Sequence, residues 1–373
     1  MRMPMFPLRA RRALLSLSAL ALGCCASASP TVAPPNRSAP LPPAAPVVTG
    51  PTYDVHEWGL VRGTAADLAV LSGPHANEIA VPVAKPVLYF HRVGAGPLEI
   101  DVRVHIDGGR IVEHWPEALG AGEPGSDIGW QVQLGDQTCA GERYPAEYRE
   151  SPCSRLMLVQ DGCEAAQLRL VETSDSACLS WPLAADQPAQ SWNHLFYRAE
   201  LNRDPHLPLA LRADASGVLH ATPRASAAIP GSVIRLHRGN GAPGQGSCAS
   251  VVAGPSHGEA VELPAPTASM ATAAEALDAS LRAAGLTADE TAAFRRAWDT
   301  TLFGDLNATC DRAVTTLATT AHITSGLFMP HATRSILYVL PEATADSLAT
   351  LRFTPAPRTV RRVIVAWVDE PAP

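Results

Sequence analysis

Lysine, aromatic residues and long apolar runs are all scarce in this sequence. Lys85 is the only lysine among 29 basic residues, and aromatic residues make up 5% of the 373-residue chain. No run reaches the ~18 consecutive apolar residues that a membrane-spanning helix requires. The sequence also has no H-E-x-x-H and no C-x-x-C motif, so it lacks common signatures of zinc proteases and zinc modules.

Acidic residues outnumber basic ones in the body of the chain. Residues 51–373 hold all 36 acidic side chains and 24 basic ones, a net charge of −12. A surface of this sign repels phosphate groups, and we therefore expect no nucleic-acid partner.

Proline is abundant, with 34 residues, and hydrophobic residues make up 46% of the chain. Proline interrupts helices and central strands, so this composition disfavours an all-helical bundle and favours many short strands joined by loops. The apolar content is sufficient for a buried core. We therefore expect a mainly β protein with sandwich-like antiparallel sheets.

Residues 1–23 have the order of a secretory signal. Four arginines precede Ala13–Leu22, a short run that is apolar except for two serines, and Gly23 stands directly before Cys24. This order resembles a bacterial lipobox, in which the cysteine is lipidated, so Cys24 is predicted to anchor the exported protein to the membrane of the cell envelope. Cleavage after Ala26-Ser27-Ala28 is the alternative, and it would give a soluble secreted or periplasmic protein.

Residues 24–52 are predicted to form a tether. Eight of the 22 residues from Pro30 to Pro51 are proline, and most of the others are Ala, Ser, Thr or Val. Such a segment favours an extended polyproline conformation without a core. The folded body is expected to begin near Tyr53.

Six cysteines remain in the body, an even number that favours disulfides in an exported chain. They are Cys139, Cys153, Cys163, Cys178, Cys248 and Cys310. The simplest pairing closes local loops, 139 with 153, 163 with 178 and 248 with 310, although fifteen pairings are possible. Because their spacing matches no zinc module, we predict no metal bound by these cysteines and no cofactor.

Short strand patterns recur along the body. Leu98–Ile106 alternates apolar and polar residues, meets Asp107-Gly108-Gly109 and is followed by Arg110–Trp115, a pattern typical of a β-hairpin. The length favours two β-rich domains, residues 53–184 with the cysteine-rich loops and residues 185–373. A single β-rich unit with a helical insertion is the alternative.

The pattern becomes helical near residues 270–303. Met270, Ala274, Leu277 and Leu281 form one apolar stripe that ends before a glycine. The sequence Thr287-Ala-Asp-Glu290 is a capping box, and it precedes apolar residues at i, i+4 and i+8. The sequence thus predicts a helical hairpin.

The tetrad His56–Gly59 is the strongest candidate for chemistry, because His and Glu serve as metal ligands and as acid–base groups. Adjacent side chains of a strand point to opposite faces, so His56 and Glu57 are not expected to share a site. A site would need a second histidine, such as His114 or His194. The alternative is a structural role as a hydrogen-bonded polar residue in a packed strand.

Trp192–Arg198 combines three aromatic residues with His194 and Arg198. Aromatic and arginine side chains suit a ligand-binding wall. The alternative is a central strand that is buried on both faces.

Four short segments resemble those of a family of exported bacterial proteins of uncharacterised function. They are Val55-His-Glu-Trp-Gly59, Pro86-Val-Leu-Tyr-Phe90, His194-Leu-Phe-Tyr-Arg198 and Ile336-Leu-Tyr-Val-Leu-Pro341. The first lies at the start of the folded body and the last lies near the C-terminus, as in that family. The resemblance implies export and a β-rich body, but no activity.

Two functions follow as hypotheses. The first is a non-catalytic envelope lipoprotein that binds an envelope or extracellular ligand or has a surface-structural role. The second is a secreted, metal-dependent hydrolase that uses His56 or Glu57. A cluster of His56 or Glu57 with two further histidines or carboxylates in a cleft would favour the second.

Overall fold

The computed structural model describes most of the body of the chain, within one compact unit, Val48–Pro373. The described residues are 51–64, 81–116, 118–119, 125–135, 139, 170–181, 190–202, 206–214, 216, 218–224, 228–239, 246–256, 258–308, 310 and 334–370. The predicted signal, Cys24 and the tether up to residue 50 lie outside them. No helix in the described ranges combines the length and the apolar character needed to cross a bilayer.

Strands dominate the described residues, which confirms the predicted mainly β class. The strands are β1 (Thr52–Thr64), β2 (Val81–Val93), β3 (Leu98–His105), β4 (Gly109–Trp115), β5 (Asp127–Leu134), β6 (Leu179–Trp181), β7 (Gln190–Trp192), β8 (Leu195–Leu201), β9 (Leu209–Ala213), β10 (Leu219–Pro223), β11 (Ser232–His237), β12 (Cys248–Ala253), β13 (Val261–Leu263), β14 (Arg334–Val339), β15 (Thr350–Thr354) and β16 (Thr359–Asp369). The helices are α1 (Met270–Ala283), α2 (Ala288–Phe303) and α3 (Glu342–Leu348).

The strands form three sheets. The central sheet has eight strands in the order β12-β11-β14-β16-β1-β2-β8-β4, the flanking sheet has the order β15-β3-β5-β6-β7, and the small sheet has the order β13-β10-β9. Neighbouring strands of the central sheet are antiparallel except for β1 and β16, which pair in parallel along eleven residue pairs at its middle.

Each face of the central sheet covers one core. One core lies between this sheet and the flanking and small sheets, and contains Val55, Phe90 and Trp130. The other lies between the opposite face and the pair α1–α2, and contains Trp58 and Phe294. The molecule is therefore layered, with helices, central sheet and smaller sheets in that order.

The helical hairpin is present as predicted. Residues Met270, Ala274, Leu277 and Leu281 of α1 are buried on one stripe. Helix α2 begins at the predicted capping box, in which Thr287 and Glu290 exchange hydrogen bonds. Local sequence therefore determines this element.

The predicted β-hairpin at residues 98–115 is wrong. The first strand, β3, pairs with β5 and β15 in the flanking sheet, whereas β4 pairs with β8 in the central sheet. The turn at Asp107-Gly108 thus carries the chain from one sheet to the other. A Cβ atom on Gly109 would lie 2.5 Å from the carbonyl oxygen of Glu200, so this corner requires glycine.

The expected division near residue 185 does not separate two sheets. Strands β1, β2 and β4 come from residues 53–184 and pair in one sheet with strands from residues 185–373. The long-range pairing of β1 with β16 unites the two halves, and periodicity in the sequence contains no information on such pairing.

The structure revises the cysteine pairing. Cys139 is bonded to Cys178, so the expected local pairings 139–153 and 163–178 are wrong. Cys153 and Cys163 lie outside the described residues. The expected disulfide between Cys248 and Cys310 is not formed, and both sulfur atoms lie near the Pro266 carbonyl oxygen, at 3.5 and 3.6 Å.

Candidate metal centre

Strand β1 separates His56 from Glu57. His56 lies on the face covered by the helices, whereas Glu57 lies on the opposite face, with Val55. This agrees with the alternation expected along a strand. The two residues therefore belong to two different sites.

The register of β1 and β2 brings a second histidine beside His56. His56 is opposite Tyr89, so His91 is its diagonal neighbour two residues further along β2 and on the same face. The centroids of the two imidazole rings are 4.4 Å apart. The neighbouring Tyr89 and Trp58 hydrogen-bond to each other at 3.2 Å and pack beneath the helices.

The N-terminal turn of α2 supplies a carboxylate. Glu290 Oε1 lies 2.8 Å from His91 Nε2, and Glu290 Oε2 lies 3.0 Å from His56 Nδ1. Oε2 also accepts a hydrogen bond of 2.8 Å from the main-chain N–H of Thr287, as the capping box requires. The cap therefore fixes the carboxylate in the orientation that faces both histidines.

The environment favours the charged carboxylate. Burial acts to raise the pKa of Glu290, but hydrogen bonds from His56 and His91 outweigh burial and lower the pKa to about 2. Burial acts to lower the pKa of His91, but the hydrogen bond and charge of Glu290, followed by Asp175, outweigh it and raise the pKa. In the metal-free protein, the environment thus favours the charged forms of both Glu290 and His91.

The three side chains have the composition of a transition-metal site. One nitrogen of each imidazole and one carboxylate oxygen lie within 4.8 Å of one another, close enough to bind a single ion. The Glu290 side chain is fully buried, whereas those of His56 and His91 are 15% and 18% exposed. An ion can therefore enter from the histidine side, where it would displace the protons that the rings share with Glu290.

A segment at residues 170–178, called the outer-shell segment below, covers this cluster. The main chain of Asp175 favours the protonated form of the His91 ring and contributes to its raised pKa. A main-chain group beside a histidine ligand of a metal can accept the second hydrogen bond that orients the ring.

Glu57 belongs to a buried network on the opposite face of the sheet. Its carboxylate accepts hydrogen bonds from Tyr197 at 2.6 Å and from Arg362 at 2.5 Å. The guanidinium of Arg362 also donates to the carbonyl of Ala349 and contacts Asp346 at 3.3 Å. This network connects β1, β8 and β16 with α3, so the contacts of Glu57 are structural.

The other sequence candidates lie apart from the cluster. His194 and Arg198 are buried in or beside β8, a strand with both faces packed, which agrees with the structural alternative. Burial lowers the pKa of His194 to about 3, so this ring is neutral. His114 Nδ1 lies 3.0 Å from the Pro116 carbonyl, and its ring packs on Trp130.

Sequence reasoning missed two of the three clustered residues. His91 directly follows the segment Pro86–Phe90, but only the register of β1 and β2 places it beside His56. The sequence predicts Glu290 as a capping residue, and that role gives no reason to assign it a second one. The signal available was weak, namely two histidines on separate strands and a capping glutamate.

Comparisons with known proteins give no family. No family model matches the chain, and no curated protein matches it. A solved structure that matches is the Fcho1 Mu homology domain from Danio rerio with bound Eps15 peptide, at a TM-score of 0.30 and 9% identity, covering 86% of this chain and 97% of that chain. Such a distant likeness carries no argument about function.

Proposed function

We propose that this protein is a lipid-anchored protein of the bacterial cell envelope whose β-rich body binds a divalent transition metal. The observation that carries the proposal is the convergence of His56, His91 and Glu290 within 4.8 Å at a partly open surface. The order of the N-terminal residues, with a basic start, a short apolar run and Gly23-Cys24, supports export and anchoring.

The donor set favours a divalent transition metal such as zinc over magnesium or calcium. Imidazole nitrogens suit Zn²⁺, Cu²⁺ and Ni²⁺, whereas Mg²⁺ and Ca²⁺ prefer oxygen ligands throughout. Two imidazoles and one carboxylate leave one position of a tetrahedral zinc ion for water or another ligand. The body thus has a binding role, and the metal is the ligand that its geometry fits best.

A secreted, metal-dependent hydrolase is the second candidate. Three protein ligands with a fourth position open are typical of catalytic rather than structural zinc sites. The partial exposure of both histidines favours it, because a substrate would need to reach that position. Hydrolysis of activated esters and phosphate esters by the zinc-loaded body, absent in His91→Ala, would support this candidate.

Zinc titration of the purified body tests the proposal. We expect one Zn²⁺ per chain in calorimetry, and a loss of affinity of roughly 100-fold or more in His56→Ala and in His91→Ala. His105→Ala and His220→Ala are matched controls, because each removes an exposed histidine paired with a single aspartate, Asp127 or Asp214. Parent protein that binds no zinc, or equal affinity in all four variants, would overturn the proposal.

A further inference from the structure

The outer-shell segment, Leu170–Cys178, connects the two elements that carry the proposed ligands. On the β2 side, Ser176 Oγ accepts a hydrogen bond from Phe90 N at 3.2 Å, and Ala177 N donates to Phe90 O at 2.8 Å. Phe90 directly precedes His91. The segment therefore fixes the main chain at the residue next to one ligand.

On the α2 side, the same segment contacts the residue next to Glu290. Ser174 Oγ donates to the carboxylate of Asp289. Arg296, less than two turns further along α2, donates to the carbonyl of Glu172 at 2.5 Å and to that of Leu170 at 3.2 Å. Thus the segment joins α2 to β2 around the cluster.

A disulfide fixes the end of this segment. Cys178 is bonded to Cys139, and Gly135 N donates to Cys178 O at 2.8 Å beside the end of β5. Cys178 directly follows Ala177, whose main chain is hydrogen-bonded to Phe90 beside His91. Without the covalent bond, only the short strand β6 and the hydrogen bonds to Phe90, α2 and Gly135 would hold the segment.

We infer that the Cys139–Cys178 disulfide is a positioning element of the metal site, so that the site reaches full affinity only after the protein has been oxidised outside the cytoplasm. This inference rests on the proposed metal site. The two thiols lose two electrons and two protons to a disulfide-bearing oxidant, which becomes a dithiol, and the new S–S bond fixes the outer-shell segment against His91 and α2. Zinc loading then follows export, because the reduced chain in the cytoplasm binds zinc weakly.

The test compares zinc affinity in two double variants. Cys139→Ser with Cys178→Ser is expected to weaken zinc binding by roughly 10- to 100-fold, the usual effect of losing an outer-shell contact. Cys248→Ser with Cys310→Ser replaces the same number of cysteines away from the cluster and should bind zinc as the parent does. The melting temperature of each metal-free variant separates a general loss of stability from a specific loss of affinity.

Arg296→Gln provides a second route if the first double variant does not fold. It removes the hydrogen bonds of Arg296 to Leu170 and Glu172 but leaves the disulfide and the ligands in place, and it should weaken zinc binding. Arg295→Gln is the control, because Arg295 pairs with Asp299 and Asp278 instead.

The outcomes separate the two proposals. Parent protein that binds no zinc refutes the metal site itself, and this inference with it. If the parent protein binds zinc and the Cys139→Ser, Cys178→Ser variant binds it equally well, the inference is wrong and the metal site stands. If that variant does not fold, unchanged zinc affinity in Arg296→Gln leads to the same conclusion.

Discussion

His56 and Glu57 are adjacent in the sequence, yet their side chains lie on opposite faces of the central sheet. His56 contacts Glu290 of α2, whereas Glu57 accepts hydrogen bonds from Tyr197 and Arg362. One dipeptide thus contributes to a candidate metal site and to a buried structural network. Substitutions at the two positions should therefore affect different properties.

Glu57→Gln should destabilise the protein without changing zinc affinity. The substitution leaves the guanidinium of Arg362 buried beside a neutral amide, and breaking a buried ion pair in this way costs about 3–5 kcal/mol. Urea denaturation measures the free energy of unfolding, and calorimetry measures zinc binding. His56→Ala is the counterpart, for which we expect lost zinc binding and a small stability change. A Glu57→Gln variant as stable as the parent would contradict the structural role.

Trp58→Ala should lower the free energy of unfolding by about 3–5 kcal/mol. Trp58 is fully buried, packs edge-on against Phe294 with ring centroids 5.2 Å apart, and donates a hydrogen bond to the Tyr89 hydroxyl. Thermal and chemical denaturation both measure the loss. Trp58→Phe retains much of the buried volume and should cost less, so equal losses in the two variants would argue against a packing origin.

His194 should make the protein sensitive to mild acid. Burial lowers the pKa of His194 to about 3, so between pH 6.5 and pH 3 the unfolded chain binds a proton that the folded protein does not. Above pH 6.5, His194 therefore does not reduce the free energy of unfolding. Between pH 6.5 and pH 3, the free energy of unfolding falls by about 1.4 kcal/mol for each pH unit that the pH decreases.

The comparison of His194→Phe with the parent isolates this effect. Between pH 6.5 and 4.5, the free energy of unfolding should depend less on pH in the variant than in the parent. This range lies above the pH at which folded protein protonates Glu290, whose pKa is about 2. His105→Phe changes an exposed histidine and should retain the pH dependence of the parent. Identical slopes in His194→Phe and the parent would refute the assignment.

Cys24→Ser should release the protein from the membrane. Cys24 is the predicted lipidation site, and no run in the sequence is long and apolar enough to span a bilayer. Fractionation of cells that express each form, followed by a high-salt wash, measures the distribution. Cys25→Ser is the matched control and should remain in the membrane fraction. If Cys24→Ser also sediments with membranes after the wash, the lipoprotein assignment is wrong.

The sequence predicts local features of this fold better than distant ones. The capping box at Thr287 and the apolar stripe of α1 follow from the identity and spacing of neighbouring residues. The separation of β3 and β4 into different sheets does not, since each strand has the same pattern whichever partner it finds. The pairing of β1 with β16 joins residues about 300 positions apart in the sequence. Periodicity within each strand cannot predict which distant strand it pairs with.

The candidate site shows the same limit. The opposite orientations of His56 and Glu57 could be predicted from alternation alone. The contact between His56 and His91 depends on the register of two strands, and Glu290 reaches them only because α2 packs on that face. A site assembled from β1, β2 and α2 is thus determined by tertiary structure.

The parallel pairing of β1 with β16 also has a consequence for the order of events during biosynthesis. The middle of the central sheet cannot close until Thr359–Asp369 has been synthesised, because this strand lies between β1 and β14. A nascent chain that lacks it exposes one edge of β1 and has no complete central sheet. Pairing of such distant segments is slow, which prolongs the time during which the chain is unfolded. A translocation channel that accepts only unfolded chains would therefore have time to engage this protein before its body folds.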